Sequence, residues 1–371
     1  MRDIHATLMR GGTSKCWVFE HDALAVPGRG VDEVLLRLYG SPDPRQLDGV
    51  GGATSTTSKA VLLSPSARPD ADVDYTFAQV GISDGRVDWT SNCGNCSAVV
   101  GPYALRRGWV APTGDVTEVR VHNTNTDQLI VLEVATPGGE VQEEGDVVIP
   151  GVATPGLGVR MWFVDPGGRT TGALWPSGRR TDEIDGVPVT LVDAGAPVVV
   201  VPAGAVGLTG QESVSEIDAD PALLARLDDI RRRGAVLMGL AAAPDQAARA
   251  TPKLALAAAG VPGRSDLTIR MLSMGRAHPA LAVTGSIALT LAAREPGTVL
   301  ADLVSGDRDT VNLDMDTPAG VVSTAIADRE GRTAVGVWRT ARRLADALLA
   351  LPEGAPRTHA ERPTAGAAHA A

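Results

Sequence analysis

The chain has 371 residues, 44% hydrophobic and 21% charged, with a formal net charge of −10. That balance is globular, and the length exceeds what one ordinary core needs, so two domains are expected. The acidic balance argues against nucleic acid or an anionic membrane as partner, since both need a basic face. An anionic small molecule stays open, because it senses only its own pocket.

The start, Met1-Arg2-Asp3-Ile4-His5, carries charge and then alternates like a strand, unlike a secretory signal. Three cysteines do not make a disulfide framework, and the expected compartment is the cytoplasm. A homodimer is allowed by the sequence and not demanded by it.

In chain order, strands are expected over 4–9 and 16–19, flanking the Gly-rich turn 10–14. A helix follows over 31–38. Over 72–82, Val73, Tyr75 and Phe77 alternate as in a half-buried strand. A helix runs over 93–107, and strands are expected over 116–121, 129–135, 158–164 and 187–192. The apolar stretch 189–208 is broken by Asp193, Pro197 and Pro202, and reads as two strands rather than a membrane span. Asp220 and Pro221 open a helix over 221–240. Residues 280–294 are apolar almost all round, which predicts a helix buried on every side. Residues 338–351 read as an amphipathic helix with Arg339, Arg342 and Arg343 on its polar side. The Ala/Pro/Thr/His-rich segment 353–371 reads as a disordered tail. A faint echo links the turn at Arg10-Gly11-Gly12 to Asp193-Ala194-Gly195, each followed by strands and one apolar helix. The echo predicts two similar β-rich halves with a cleft between them.

Chemistry concentrates in a few places. Only three lysines, Lys15, Lys59 and Lys253, stand against 31 arginines. Guanidinium cannot release its proton under working conditions, whereas a desolvated amine can, so a retained lysine marks a candidate position where arginine cannot substitute. Lys59 closes the Gly- and Ser/Thr-rich segment 48–59, which fails the phosphate-loop pattern because Ser58 precedes it and Ala60 follows. Its hydroxyls suit carboxylate oxygens, and Lys59 is the candidate general base. The plain alternative is a solvated loop lysine.

The run Asn92-Cys93-Gly94-Asn95-Cys96 opens a predicted helix, where free N–H groups attract anions and lower a thiol's pKa. Cys93 is the candidate thiol, set against the plain reading of a small buried apolar residue. Zinc needs two more ligands than Cys93 and Cys96 supply, and the chain has no second Cys pair and no close His pair. On the opposing side, Gly275 and Arg276 offer an N–H and a guanidinium fork for a carboxylate. Thr284, Gly285 and Ser286 offer donors at a second helix start. His278 is a further acid/base candidate or a structural histidine.

These motifs together resemble the PrpF family. The matching pieces are 9–15, 48–53 with Thr57-Ser58-Lys59, 73–80, 92–95 with 100–103, 165–168, and His278-Pro279-Ala280 with Thr284-Gly285. Members are 2-methylaconitate cis–trans isomerases, oxalomesaconate tautomerases and methylitaconate Δ-isomerases. The resemblance implies an α+β, diaminopimelate-epimerase-like fold: two pseudo-symmetric β-barrel-like domains, each enclosing a central helix, with the active site in the cleft. It implies domains over 1–185 (joined by 336–351) and 186–335, and no cofactor and no metal. It places the catalytic pair on Lys59 and Cys93. Substrate carboxylates would be held around Thr13, Ser14, Asn92, Gly94, Asn95, Gly275, Thr284, Gly285 and Ser286. The chain departs from the family at Cys16 and Cys96, where glycine and an apolar residue are usual, and over Asp316-Thr317-Pro318-Ala319-Gly320, where the family's His-Pro-Ser/Ala-Gly stretch loses its histidine.

The implied reaction is allylic: Lys59 removes a proton beside a C=C bond of an unsaturated di- or tricarboxylate, and reprotonation elsewhere moves the bond or, after rotation, exchanges cis and trans. Other readings are the same chemistry on a specialised-metabolite intermediate, or a non-catalytic carboxylate-binding accessory protein.

Overall fold

The computed structural model describes residues 2–90, 92–304 and 311–352. The tail expected over 353–371 and Ser91 lie outside the described residues. β1 (Arg2–Gly11) and β2 (Ser14–Glu20) form a hairpin turning on Gly12, whose φ of 51° suits a residue without a side chain. α1 (Val31–Tyr39) carries Asp32 and Glu33 in its first turn and stops at left-handed Gly40. β3 (Lys59–Pro65) lies parallel to β2, and β4 (Val73–Val80) runs back along β3. After β5 (Val87–Asp88), the predicted helix arrives as α2 (Gly94–Ser97) and α3 (Val100–Arg106), separated by a turn at Ala98 and Val99. β6 (Val116–Asn123) pairs parallel with β4, and β7 (Gln128–Ala135) and β8 (Leu157–Val164) follow antiparallel.

The second half opens with β9 (Asp182–Ile184), β10 (Val187–Ala194) and β11 (Ala196–Pro202), the last two a hairpin turning on Gly195. α4 (Val214–Asp218) and α5 (Pro221–Leu237) follow, α5 capped by the Asp220 carboxylate on the Leu223 N–H at 3.0 Å. β12 (Lys253–Ala259) lies parallel to β11, and β13 (Leu267–Ser273) and β14 (Arg276–Ala277) follow antiparallel. α6 (Val283–Arg294) comes next, starting three residues later than its apolar run. β15 (Asn312–Thr317), β16 (Gly320–Arg329) and β17 (Arg332–Leu351) end the fold.

The helix expected over 338–351 is in fact the C-terminal part of β17. Its Ala/Leu/Arg composition favours a helix, but two strand edges compete for its backbone. Residues 334–341 pair with β8 and residues 341–351 with β1. Leaving both edges open would strand rows of N–H and C=O groups, so tertiary pairing overrides local propensity. Leu344 and Leu348, which the helix reading would bury, are exposed.

That pairing closes β17, β1, β2, β3, β4, β6, β7 and β8 into an eight-stranded barrel around α2 and α3. In the second half, β10, β11, β12, β13, β15, β16 and the start of β17 curl around α6. A bridge from Gly167 to Ala194 ties the segment after β8 onto β10. Alternate residues point in. Val61 and Leu63 of β3 join Cys96, Val99 and Tyr103 in the core, as Ala255 and Ala257 of β12 join Ile287 and Leu289. The opposite faces are covered by α1 (Leu35, Tyr39 against Phe19, Leu62) and by α5 (Leu227, Ile230 against Val199, Leu254). Among the described residues no helix is long and apolar enough to cross a membrane.

Candidate active site

Three strands of the first barrel deliver polar inward-facing residues to the rim where α2 begins. Ser14 is the first residue of β2, Lys59 the first of β3, and Gln79 the register partner of Lys59 on β4. Because Val61 and Leu63 face the core, the two-residue period puts Lys59 on the same inner face. Lys59 is only 8% exposed. The reading of a solvated loop lysine is therefore overturned: the loop ends at Ser58, and the lysine belongs to the strand.

The Lys59 Nζ donates to Gln79 Oε1 at 2.8 Å and lies 4.8 Å from the Phe77 ring centroid. Gln79 is itself fixed, its amide donating to the Ser58 carbonyl at 2.8 Å. The Tyr39 hydroxyl donates to the Lys59 carbonyl, locking the backbone beneath it. Among the described residues no carboxylate pairs with this amine.

Cys93 is the N-cap of α2, and its Sγ points at Ser14 Oγ, 3.9 Å away. The thiol expected to be acidified is the reverse. Contact with the Cys96 thiol, then burial, push the Cys93 pKa well above the ordinary thiol range, and Lys59's positive charge opposes this only in part. That direction favours the thiol over the thiolate. Burial raises Cys96 as well, and its neighbour Cys16 adds to the effect; all three cysteines are free.

Asn95 turns back towards the β1–β2 hairpin and donates to Thr13 Oγ1 at 3.1 Å. Its own Oδ1 accepts from Arg339 Nε at 3.1 Å. Arg339 is 5% exposed, has no acidic partner among the described residues, and burial alone draws its pKa down to about 10. The sequence reading placed it on the wet face of a helix. As an inward residue of β17 it becomes an uncompensated buried cation behind Asn95. Asn92 adds a buried Nδ2 donor that has no hydrogen-bond partner among the described residues.

The second half meets this rim at α6. A Cβ on Gly94 would stand 2.7 Å from the Cβ of Val283, so glycine lets the two helix starts touch. Gly151 marks the same junction: a Cβ there would lie 3.0 Å from Thr13 Cγ2, 3.6 Å from Ala319 Cβ and 3.9 Å from Ala280 Cβ. Thr284 and Ser286 are buried in the first turn of α6, and the Ser286 hydroxyl donates back to the Val283 carbonyl at 2.8 Å. Gly285 packs on Met271. His278 Nδ1 accepts from the Ala280 N–H at 3.0 Å, which places the proton of the neutral ring on Nε2. Burial lowers the His278 pKa, and the charges of Lys253 and Lys59 lower it further.

Gly275 and Arg276 are not gathered with the others. Gly275 sits at the tip of the β13–β14 hairpin, lining a 380 Å³ cavity against α5 with Leu224, Asp228 and Arg249. Arg276 is exposed and lies 3.9 Å from Asp218 of α4. A hairpin between two-residue and seven-residue strands cannot be told from a binding turn by composition, which is why the sequence misleads here.

The PrpF protein family model matches residues 1–352. The chain belongs to this family. As a PrpF protein it is 41% identical over 352 residues to the 4-oxalomesaconate tautomerase of Pseudomonas putida, covering 94% of this chain and 96% of that one. It is 39% identical to the 2-methyl-aconitate isomerase of Cupriavidus necator, covering 90% and 91%. The crystal structure of a methylitaconate-delta-isomerase superposes with a TM-score of 0.83 at 34% identity, covering 97% and 99%. A probable proline racemase from Agrobacterium radiobacter shares the fold at a TM-score of 0.54 and 16% identity, covering 94% and 93%. The diaminopimelate-epimerase-like architecture expected from the motifs is the one observed, and this PrpF protein is an enzyme of the isomerase class. Its departure over 316–320 begins with the Asp316 carboxylate on β15. That carboxylate is buried on β15 between Arg264, at 2.7 Å, and Arg270, at 3.6 Å.

Proposed function

We propose that this PrpF protein shifts or cis–trans isomerises the double bond of an unsaturated di- or tricarboxylate by allylic proton transfer, with Lys59 and Cys93 as its acid/base pair. Residues 1–185 with 336–351 are taken as one half and 186–335 as the other, with the site between them and the protein cytoplasmic. The observation that carries the reading is a buried lysine whose hydrogen-bond partner among the described residues is a neutral amide, on the same rim as the Cys93 thiol and the buried Arg339.

Lys59 takes the allylic proton on its Nζ. The dienolate that forms spreads charge onto a carboxylate, which the Asn92 Nδ2, the Thr13 and Ser14 hydroxyls and the Arg339 charge behind Asn95 stabilise. Cys93 holds its proton and is built to return it at another carbon. Gly94, Asn95, Thr284 and the first N–H groups of α6 frame the remaining carboxylate oxygens. The names of the relatives, a 4-oxalomesaconate tautomerase and a 2-methyl-aconitate isomerase, support unsaturated polycarboxylates as the substrate class.

The test is solvent-deuterium exchange followed by NMR on 4-oxalomesaconate and 2-methylaconitate. Label entering the allylic carbon with the wild type and not with Lys59→Ala supports the assignment. Equal label with both variants rejects Lys59 as the base, and no label with the wild type favours a binding protein.

A further inference from the structure

The two halves repeat not only a strand plan but its register. In the first, the fourth residue of β2, Trp17, pairs with the second residue of β3, Ala60. In the second, the fourth residue of β11, Val199, pairs with the second residue of β12, Leu254. Across the next ladder Ala60 opposes Ala78, as Leu254 opposes Leu272. Beyond it, Gln79 opposes Asp88 of β5, and Ser273 opposes Arg276 of β14. The parallel pairings agree: Val73 with Val121, and Leu267 with Met315. Counting back one residue, the counterpart of Lys59 is Lys253.

The match extends to orientation. Lys253 shares its strand face with Ala255 and Ala257, which lie in the central core, as Lys59 shares its face with Val61 and Leu63. Both lysines therefore point inward from the heads of equivalent strands, β3 and β12. Their fields overlap in the cleft: Lys253 acts electrostatically on His278, and Lys59 and Cys93 act on Lys253. The surroundings differ in one respect. Lys59 rests on the Gln79 amide, whereas the counterpart of Gln79 is the shorter Ser273. Among the described residues Lys253 has no hydrogen-bond or ion-pair partner, although it is partly buried. A partly buried ammonium without an anion is costly, and facing a second lysine raises that cost.

We propose that Lys253 is a second substrate-contacting lysine, which holds a carboxylate of the substrate on the far side of the reacting carbons and so makes the site selective for acids bearing two or more carboxylates. This rests on the isomerase reading above and deepens it. In the empty site, burial and the charge of Lys59 draw the Lys253 pKa below the ordinary lysine range; an incoming carboxylate between the two amines reverses that pull. The three lysines of an arginine-rich chain then divide in purpose, with two of them occupying equivalent places in the duplicated fold. A compact, mobile ammonium suits this position better than a planar fork because one point charge must reach a carboxylate whose orientation the other half dictates.

The test compares wild type with Lys253→Met, Lys253→Gln and Lys253→Arg in the full chain, with circular dichroism and melting temperature as folding controls. Turnover of 4-oxalomesaconate and 2-methylaconitate gives KM and kcat, and calorimetry with tricarballylate, a saturated tricarboxylate, reads binding without chemistry. Loss of one charge-assisted contact predicts a KM and a tricarballylate Kd raised about 10- to 100-fold in the Met and Gln variants, with kcat changed less. Lys253→Arg recovers part of the affinity. Unchanged KM and Kd in a folded Lys253→Met or Lys253→Gln variant overturns the proposal, as does an equal loss in all three variants. Failure of both neutral variants to fold also overturns it, in favour of a structural role. A wild type that turns over neither acid, yet binds tricarballylate through Lys253, defeats the isomerase reading alone. Normal wild-type turnover with wild-type behaviour in Lys253→Met defeats this inference alone.

Discussion

Both halves wrap a barrel-like sheet around one helix, yet the residue before that helix is Cys93 in the first half and Ala282 in the second. The hairpin rim likewise carries Ser14 in one half and Ala196 in the other. Two opposed thiols would suit racemisation at a single carbon, with one removing a proton while the other delivers it. On the proposed reading the first half supplies Cys93, Lys59 and hydroxyls, and the second supplies Lys253, His278 and the buried Thr284 and Ser286. The duplicated scaffold has thus become asymmetric where chemistry occurs. Such a site suits a reaction whose proton leaves one carbon and returns to another.

Breaking the first half should cost most. Lys59→Ala is expected to lower kcat by about 10²- to 10⁴-fold, the usual contribution of a positioned acid/base, with KM changed far less. Steady-state kinetics on a tricarboxylate isomerised by a relative checks this; turnover within threefold of wild type would remove Lys59 from the mechanism. Cys93→Ser keeps a hydroxyl donor of similar size and should cost about 10- to 100-fold in kcat, less than loss of the base. If it matched Lys59→Ala, the thiol would be as indispensable as the amine.

Arg339→Met sharpens the comparison from below. Among the described residues the guanidinium has no carboxylate to satisfy it, so an apolar chain of similar length should leave the melting temperature unchanged or higher. KM should still rise about tenfold as the charge behind Asn95 is lost. A large fall in melting temperature with unchanged KM would make Arg339 a purely structural cation.

The smallest effect belongs to the second half. The His278 pKa is lowered in the folded protein, so the unfolded chain takes up the proton first as pH falls below the ordinary histidine value of 6.5. Stability contributed by the neutral ring is therefore present above that value and lost as pH drops to the folded value. Melting temperature measured from pH 8 to pH 5 should fall less steeply in His278→Gln than in wild type. Equal slopes would show that His278 is not part of the pH response.

Several of these residues were legible without coordinates. The scarcity of lysine singled out Lys59, and the Gly-flanked Cys93 marked the helix start that the fold places beside it. The echo between Arg10-Gly11-Gly12 and Asp193-Ala194-Gly195 falls on the two equivalent hairpins. Arg339 was misread because its segment is rich in helix formers, and nothing local records that two strand edges await it. Lys253 was noticed and left without a role, since a lone Pro-Lys carries no local motif. The raised thiol pKa was missed because a helix start predicts the opposite, and the packing of Cys93 on Cys96 outweighs it.

The sequence by itself determined local features: the alternation of Val73, Tyr75 and Phe77, the Gly-rich turns at 10–14 and 193–195, and which of the basic positions hold an amine. These follow from backbone sterics and from burial of alternate side chains, which are local in the chain. Only the tertiary structure decided that residues 334–351 extend along both β8 and β1, that Asn95 and Arg339 meet across 244 positions, and that Lys253 stands in register with Lys59. Backbone hydrogen bonds to distant edges and the field of charges sharing one buried crevice are properties of proximity in space, which a linear order of residues does not contain.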